Sequence, residues 1–100
     1  MSGAEQTVEL TKPVVAHGVE ISSITLREPT AEDIMAEGYP YIVVPAAGGG
    51  SGIQLQPGVV ARYAVRLGKV PLSTVKALSA ADLQHLQVVV MGFFGQTDQD

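Results

Sequence analysis

The sequence predicts a small α+β domain, an N-terminal β-hairpin followed by three or four short helices. Three observations carry this. Apolar residues alternate with polar ones near the start of the chain, as on half-buried strands. From residue 57 onward they recur at helical spacing. Between the two regimes stand a helix start at Thr30 and a glycine-rich stretch, AAGGGSG, dividing a β-rich, acidic front from a helical, basic back. A length of 100 residues suits one domain, 1–100, with a single core.

The first strand is TVELTKPVV, with Val8, Leu10, Lys12 and Val14 in alternation. The second is VEISSITL, rich in β-branched residues that suit a pleated, half-buried surface. His17-Gly18 supplies the tight turn between them, because glycine takes positive φ at no steric cost. The hairpin therefore spans about 6–27. Pro13 has no N–H to give to a ladder and belongs on an edge or at a bulge.

REPTAEDIMAEG predicts a helix over about 30–37. Thr30 is the N-cap, Asp33 falls at the N3 position, and Glu32 and Asp33 sit at the positive end of the dipole. Pro29 keeps Glu28 extended, while Gly38 and Pro40 end the helix. Tyr41 to Val44 is a short apolar run, either a strand or an insertion into the core, ended by Pro45. The glycine-rich segment, about 46–53, is expected to be a flexible loop or internal hinge.

The helical part covers about 57–95. In PGVVARYAVRLGK, Val59, Tyr63, Arg66 and Leu67 fall near one another, as do Val60, Ala64 and Leu67. That helix ends at Gly68, with Pro71 just beyond. PLSTVKALS adds a short helix with Leu72, Val75 and Leu78 on one side. Ser79 caps the last helix, with Asp82 at N3. Leu83, Leu86, Val90 and Phe93 or Phe94 follow its apolar face, opposite Gln84, His85 and Gln87. Beyond Gln87, in VVVMGFFG, this helix is apolar all round and has to be covered on every side. With 46% hydrophobic residues, the chain carries more apolar surface than so small a core absorbs. The surplus points to a homo-oligomer or to a partner.

Composition closes several functional routes. There is no cysteine, so disulfides and thiolate chemistry are excluded. A net charge of −4 speaks against a nucleic-acid partner, which needs a basic surface. No run approaches the ~20 apolar residues that span a bilayer, and Met1 to Thr11 has no signal-peptide pattern. No membrane partner is therefore expected, and the expected compartment is a reducing cytoplasm. His17 and His85 have no neighbour at metal-ligand spacing. Dipole complementation and solvation account for Glu28, Glu32, Asp33 and Glu37. GGGSG lacks the Lys-Ser/Thr pair of a phosphate loop, and the serines lack a nucleophile elbow. PLSTVKALSAADLQHL has the outline of a helix-turn-helix, yet its second helix presents no basic residue to phosphate. The expectation is a protein that is not an enzyme, with no metal and no cofactor.

The order of the elements is informative in itself. VELTKPVVAHGVEISSITLREPTAEDI, a variable middle, then LGKVPLSTVKALSAADLQHLQVVVMGFFG resembles the tail assembly chaperones of Mu-like and related contractile-tailed phages. The shared pattern is a hairpin opening xLxxP, ITLREPTAEDI leading into the first helix, a proline-led short helix, LSAADLQHL, and an apolar end containing FF. It covers about 8–36 and 67–95, whereas the glycine-rich middle, 39–58, is atypical. The resemblance implies a non-enzymatic protein of phage or prophage origin. It binds the long, aggregation-prone tape measure protein, brings tail tube protein to it in the host bacterial cytoplasm, and is absent from the mature virion. It also implies a longer form made by programmed −1 frameshifting. Gly92, Phe93 and Phe94 can be encoded as GGT TTT TTC, which contains a slippery T TTT TTC, so slippage there replaces GQTDQD with an extension. That frameshifted form would itself be a partner.

The partner-binding surface expected from the sequence combines Val88, Val89, Met91, Phe93 and Phe94, with Leu83, Leu86 and Val90 mainly core. Arg62, Arg66 and Lys69 provide a secondary polar contact. Two competing readings are a small structural tail component and, disfavoured by the acidic charge, a regulatory nucleic-acid-binding module.

Overall fold

The computed structural model describes residues 5–94. It is an α+β fold in the order β1 (Gln6–Ala16), β2 (Val19–Leu26), α1 (Ala31–Glu37), β3 (Tyr41–Pro45), β4 (Ser51–Leu55), α2 (Pro57–Gly68), α3 (Leu72–Lys76) and α4 (Ala80–Phe94). The strands form two separate antiparallel hairpins, β1–β2 and β3–β4.

The first hairpin turns at His17 and Gly18, which both take positive φ, 53° and 78°. Two successive left-handed residues twist the chain the way paired strands twist, so the tight turn closes without splaying them. Val8 lies opposite Ile24 and Val14 opposite Ile21, with a register break between Glu9 and Val14. Across that break, residues 10–13 of β1 face only Ser22 of β2. Pro13 sits inside this bulge, where its missing N–H costs the ladder nothing. The inward face of the hairpin presents Val8, Val14, Ala16, Ile24 and Leu26, all buried.

Helix α2 lies across that face. Val60, Tyr63, Ala64 and Leu67 are buried on it, and Leu86 and Val90 of α4 complete the core. Burying each of the larger aliphatic side chains contributes about 1.5–3 kcal/mol, and this layer is the main source of stability. The helix approaches the sheet most closely at Gly68. A Cβ there would stand 2.9 Å from Ile24 Cγ2 and 3.1 Å from Leu26 Cδ2. The left-handed cap falls one residue later, on Lys69 with φ 55°. Gly68 is thus required for close packing, and Lys69 takes the conformation usually given to glycine.

Helix α1 is capped as its sequence predicts. The Thr30 hydroxyl accepts from the Asp33 N–H, and the Asp33 carboxylate accepts from the Thr30 N–H in return. Ser79 caps α4 likewise, its Oγ accepting from the Asp82 N–H at 3.2 Å.

The middle of the chain departs from expectation. Residues 46–53, read as a flexible loop or hinge, contain the tip and part of the second strand of a hairpin. Tyr41 pairs with Leu55, Val43 with Ile53, and Pro45 with Ser51. Gly48, Gly49 and Gly50 all take positive φ (80°, 98° and 80°), a succession that only glycines adopt without strain. The tip is closed by the Gly49 N–H donating to Ala46 O and the Ala46 N–H donating to Gly50 O, each at 3.2 Å.

Candidate functional site

Two polar clusters and one aromatic cluster fix the surface on which the chain presents its apolar surplus. The first polar cluster joins α1 to α2. Arg27 holds Asp33 at 2.7 Å, Arg66 reaches Asp33 at 3.2 Å and Glu37 at 3.1 Å, and Arg62 reaches Glu37 at 3.0 Å. Asp33 is 2% exposed. The hydrogen bond from Arg27, reinforced by the Thr30 N–H and hydroxyl, outweighs desolvation and holds its carboxyl well below the usual carboxylate range. The Tyr63 hydroxyl donates to Gly38 O at the end of α1, and burial pushes its own ionisation upward.

The second polar cluster joins α4 to the bulge of β1. Asp82 is 1% exposed, and its carboxylate accepts from the Thr11 N–H at 2.9 and 3.0 Å, the Thr11 hydroxyl at 3.1 Å and the Lys12 N–H at 3.3 Å. The bulge turns these two N–H groups out of the ladder, and the carboxylate satisfies them. The backbone bond from Thr11 is the foremost reason that Asp82 also stays ionised to unusually low pH. This clamp seats the first turn of α4 on β1.

The far end of α4 is seated by aromatic rings. Phe94 meets Tyr63 of α2 at 5.5 Å between centroids, and Tyr39 and Tyr41 at 5.9 and 6.5 Å, all edge-on. These three contacts tie α4 to α2 and to the base of the second hairpin. There the Gln56 N–H donates to Pro40 O at 2.9 Å.

Between these anchors, β4 and α4 enclose a groove of about 670 Å³ lined by Ile53, Leu55, Gln84, Gln87, Val88 and Met91. Its helix side follows the i, i+3, i+4, i+7 stripe of α4, and its strand side is the i, i+2 face of β4. Val88 is 69% exposed and Ile53 57%, and Ile42 and Val43 on β3 are exposed as well. Among the described residues no charged side chain lines the groove. Indeed, the sequence has no ionisable acid or base at all from 38 to 61, apart from its tyrosines.

The eight residues expected at a partner surface are therefore dispersed. Val88 and Met91 line the groove. Val89, Phe93 and Phe94 are partly buried and pack against the core. Arg62 and Arg66 are engaged with Glu37 and Asp33, in the contact between α1 and α2. Lys69 is exposed at the α2 cap, where its carbonyl meets His17 Nε2 at 3.1 Å. The strand side of the groove, Ile53 and Leu55, is not among the eight. The signal was present: GIQLQ alternates on one side of a glycine run and YIVV lies on the other, the pattern of a hairpin.

Among the described residues no group of three or more His, Cys, Asp or Glu is placed to hold a metal ion. No helix among them is long and apolar enough to cross a membrane. What the surface offers, among the described residues, is an apolar recess lined by aliphatic side chains and two glutamines. A family model described as phage tail assembly chaperone proteins, E, or 41 or 14, matches residues 7–95. The chain belongs to this family. The match runs through the glycine-rich middle, which the resemblance of the two flanking blocks leaves aside. No curated protein and no solved structure gives a significant match. As a phage tail assembly chaperone the protein has a role in building the tail and, through it, in binding tail proteins.

Proposed function

We propose that this tail assembly chaperone is non-enzymatic, binds the phage tape measure protein, keeps it soluble and helps recruit tail tube subunits as the tail grows. It works in the host bacterial cytoplasm and leaves before the virion is complete. The observation that carries this reading is the uncharged groove between β4 and α4. A long aggregation-prone chain is kept soluble by covering its apolar segments, and a neutral recess does so without stripping water from a charge. The contact centres on Val88 and Met91 with Ile53 and Leu55. Val89, Phe93 and Phe94 hold α4 in place from beneath, and Lys69 is the one cation of the expected set without an ion-pair partner among the described residues.

Co-expression with the tape measure protein tests this. The wild-type chain should move the tape measure protein into the soluble fraction. The double variant Ile53→Lys, Val88→Lys should fail to do so while keeping a native circular dichroism spectrum. Equal solubilisation by the folded double variant refutes the assignment of the surface. Purified virions should lack the chain by mass spectrometry, and finding it there would favour a structural tail component instead. A longer form made by −1 slippage at Phe93-Phe94 belongs to the same reading. It requires a Gly92 codon ending in T and an open −1 frame downstream.

A further inference from the structure

We propose that the β3–β4 hairpin is a hinged flap that closes over the groove onto α4, and that a client lifts it. The base of the hairpin is fixed to the body. Pro40 is fully buried, the Gln56 N–H donates to Pro40 O at 2.9 Å, and Gln56 O accepts from the Val59 and Val60 N–H groups that open α2. Tyr41 is held there by the edge of the Phe94 ring. Beyond it, among the described residues, no hydrogen bond or ion pair joins 42–54 to anything outside the hairpin. The arm itself is coherent, because Tyr41 to Pro45 pair with Leu55 to Ser51 in unbroken register, so it moves as a unit. Residues paired directly across a ladder share a face, which puts Tyr41, Val43, Ile53 and Leu55 together. Ile53 and Leu55 of that face line the groove with Val88 and Met91 of α4. Even so, Val43 is 65% exposed, Ile53 57% and Val88 69%. Two apolar faces that oppose each other across a gap and stay mostly wet gain by meeting. A two-stranded hairpin also gains, being marginal in water until something packs on it. The structure thus holds the flap raised, and a swing about 40–41 and 55–56 sets Val43 and Ile53 down on Val88 and Met91. The groove is the one assigned above to the client, and the last step rests on that reading: a client segment lifts the flap to reach Val88, and the closed flap shields the groove between clients.

The full chain has no cysteine, so spin labels can be placed singly and their separations read by double electron–electron resonance. Labels at Gln54→Cys on the flap and His85→Cys on α4, both exposed positions, should give two distances, the shorter one for the closed flap. Glu20→Cys with His85→Cys, both on the fixed body, should give one narrow distance. Adding Val88→Lys to the flap pair should remove its shorter distance, because closure would strip water from the ammonium group. Binding of the tape measure protein should also leave only the longer one. A flap pair as single and narrow as the body pair would overturn the proposal, as would a shorter distance that survives Val88→Lys or persists in the complex. A single flap distance in a chain that still solubilises the tape measure protein would sink this inference and leave the chaperone reading intact. Two distances in a chain that solubilises nothing would keep the closing motion and remove its client.

Discussion

Replacing Gly68 by alanine sets two ordinary effects against each other, and the structure says which prevails. Helix propensity favours alanine over glycine by up to about 1 kcal/mol, and less at a last turn. Against this stands the space. The new methyl group would lie 2.9 Å from Ile24 Cγ2 and 3.1 Å from Leu26 Cδ2. Those methyl groups belong to side chains 2% and 0% exposed, which have nowhere to move. Overpacking of this kind costs about 1–3 kcal/mol. Net destabilisation of Gly68→Ala should be roughly 1–2 kcal/mol. Gly92 provides a comparison: it too lies near the end of a helix, α4, but among the described residues its added Cβ meets nothing within 4 Å. Gly92→Ala lacks that overlap with Ile24 and Leu26 and should be less destabilising than Gly68→Ala. Urea unfolding followed by circular dichroism measures both. In a domain of this size 1 kcal/mol moves the thermal midpoint by about 4–8 °C, so the two variants should separate clearly. If Gly68→Ala is as stable as wild type or more so, the close approach of α2 to β2 is wrong.

Two further outcomes follow from the anchors of α4. Asp82 and Asp33 both have carboxyl groups ionising below the ordinary value of 3.8, so the unfolded chain binds more protons in acid than the folded one. Their stabilisation is complete above that value and is lost as pH falls below it. Asp82→Asn should therefore lower stability at neutral pH and flatten the acid limb of the stability curve. A loss of stability that is the same at pH 3 and pH 7 would contradict the clamp. Phe94→Ala removes a ring shared by Tyr39, Tyr41 and Tyr63, and should cost up to about 3 kcal/mol. It should also loosen the second hairpin before the first, seen as faster amide exchange at residues 41–55 than at 6–26. Uniform acceleration throughout would show that the ring supports the whole core alike.

Local chemistry made part of this fold legible. The turn at His17-Gly18, the bulge at Pro13 and the caps at Thr30 and Ser79 each rest on residues a few positions apart, so the sequence carries the whole cause. The second hairpin was obscured because a run of glycines has two uses. Composition reads it as flexibility, while pairing of the flanking apolar runs turns it into a tip of three successive positive φ values. Asp82 was legible as a residue in the first turn of a helix. Its bonds to Thr11 and Lys12 were not, since the partner lies 71 and 70 residues away. For the surface, sequence alone located an excess of apolar residues at 88–94 without separating the side that packs from the side that faces out. Arg62 and Arg66 look available along the chain, and only the placement of α1 beside α2 shows them already paired.

The Thr11–Asp82 clamp has a consequence for how the molecule is made. The bulge N–H groups of the first strand wait for a carboxylate that leaves the ribosome 71 residues later. Until then the hairpin has α2 to pack on but neither Leu86 nor Val90 to close its core. Contacts of such separation slow folding and tie it to synthesis of the chain as far as Val90. Every member of that closing set precedes Phe93. The part of the chain that closes the core is therefore complete before the Phe93-Phe94 pair is reached.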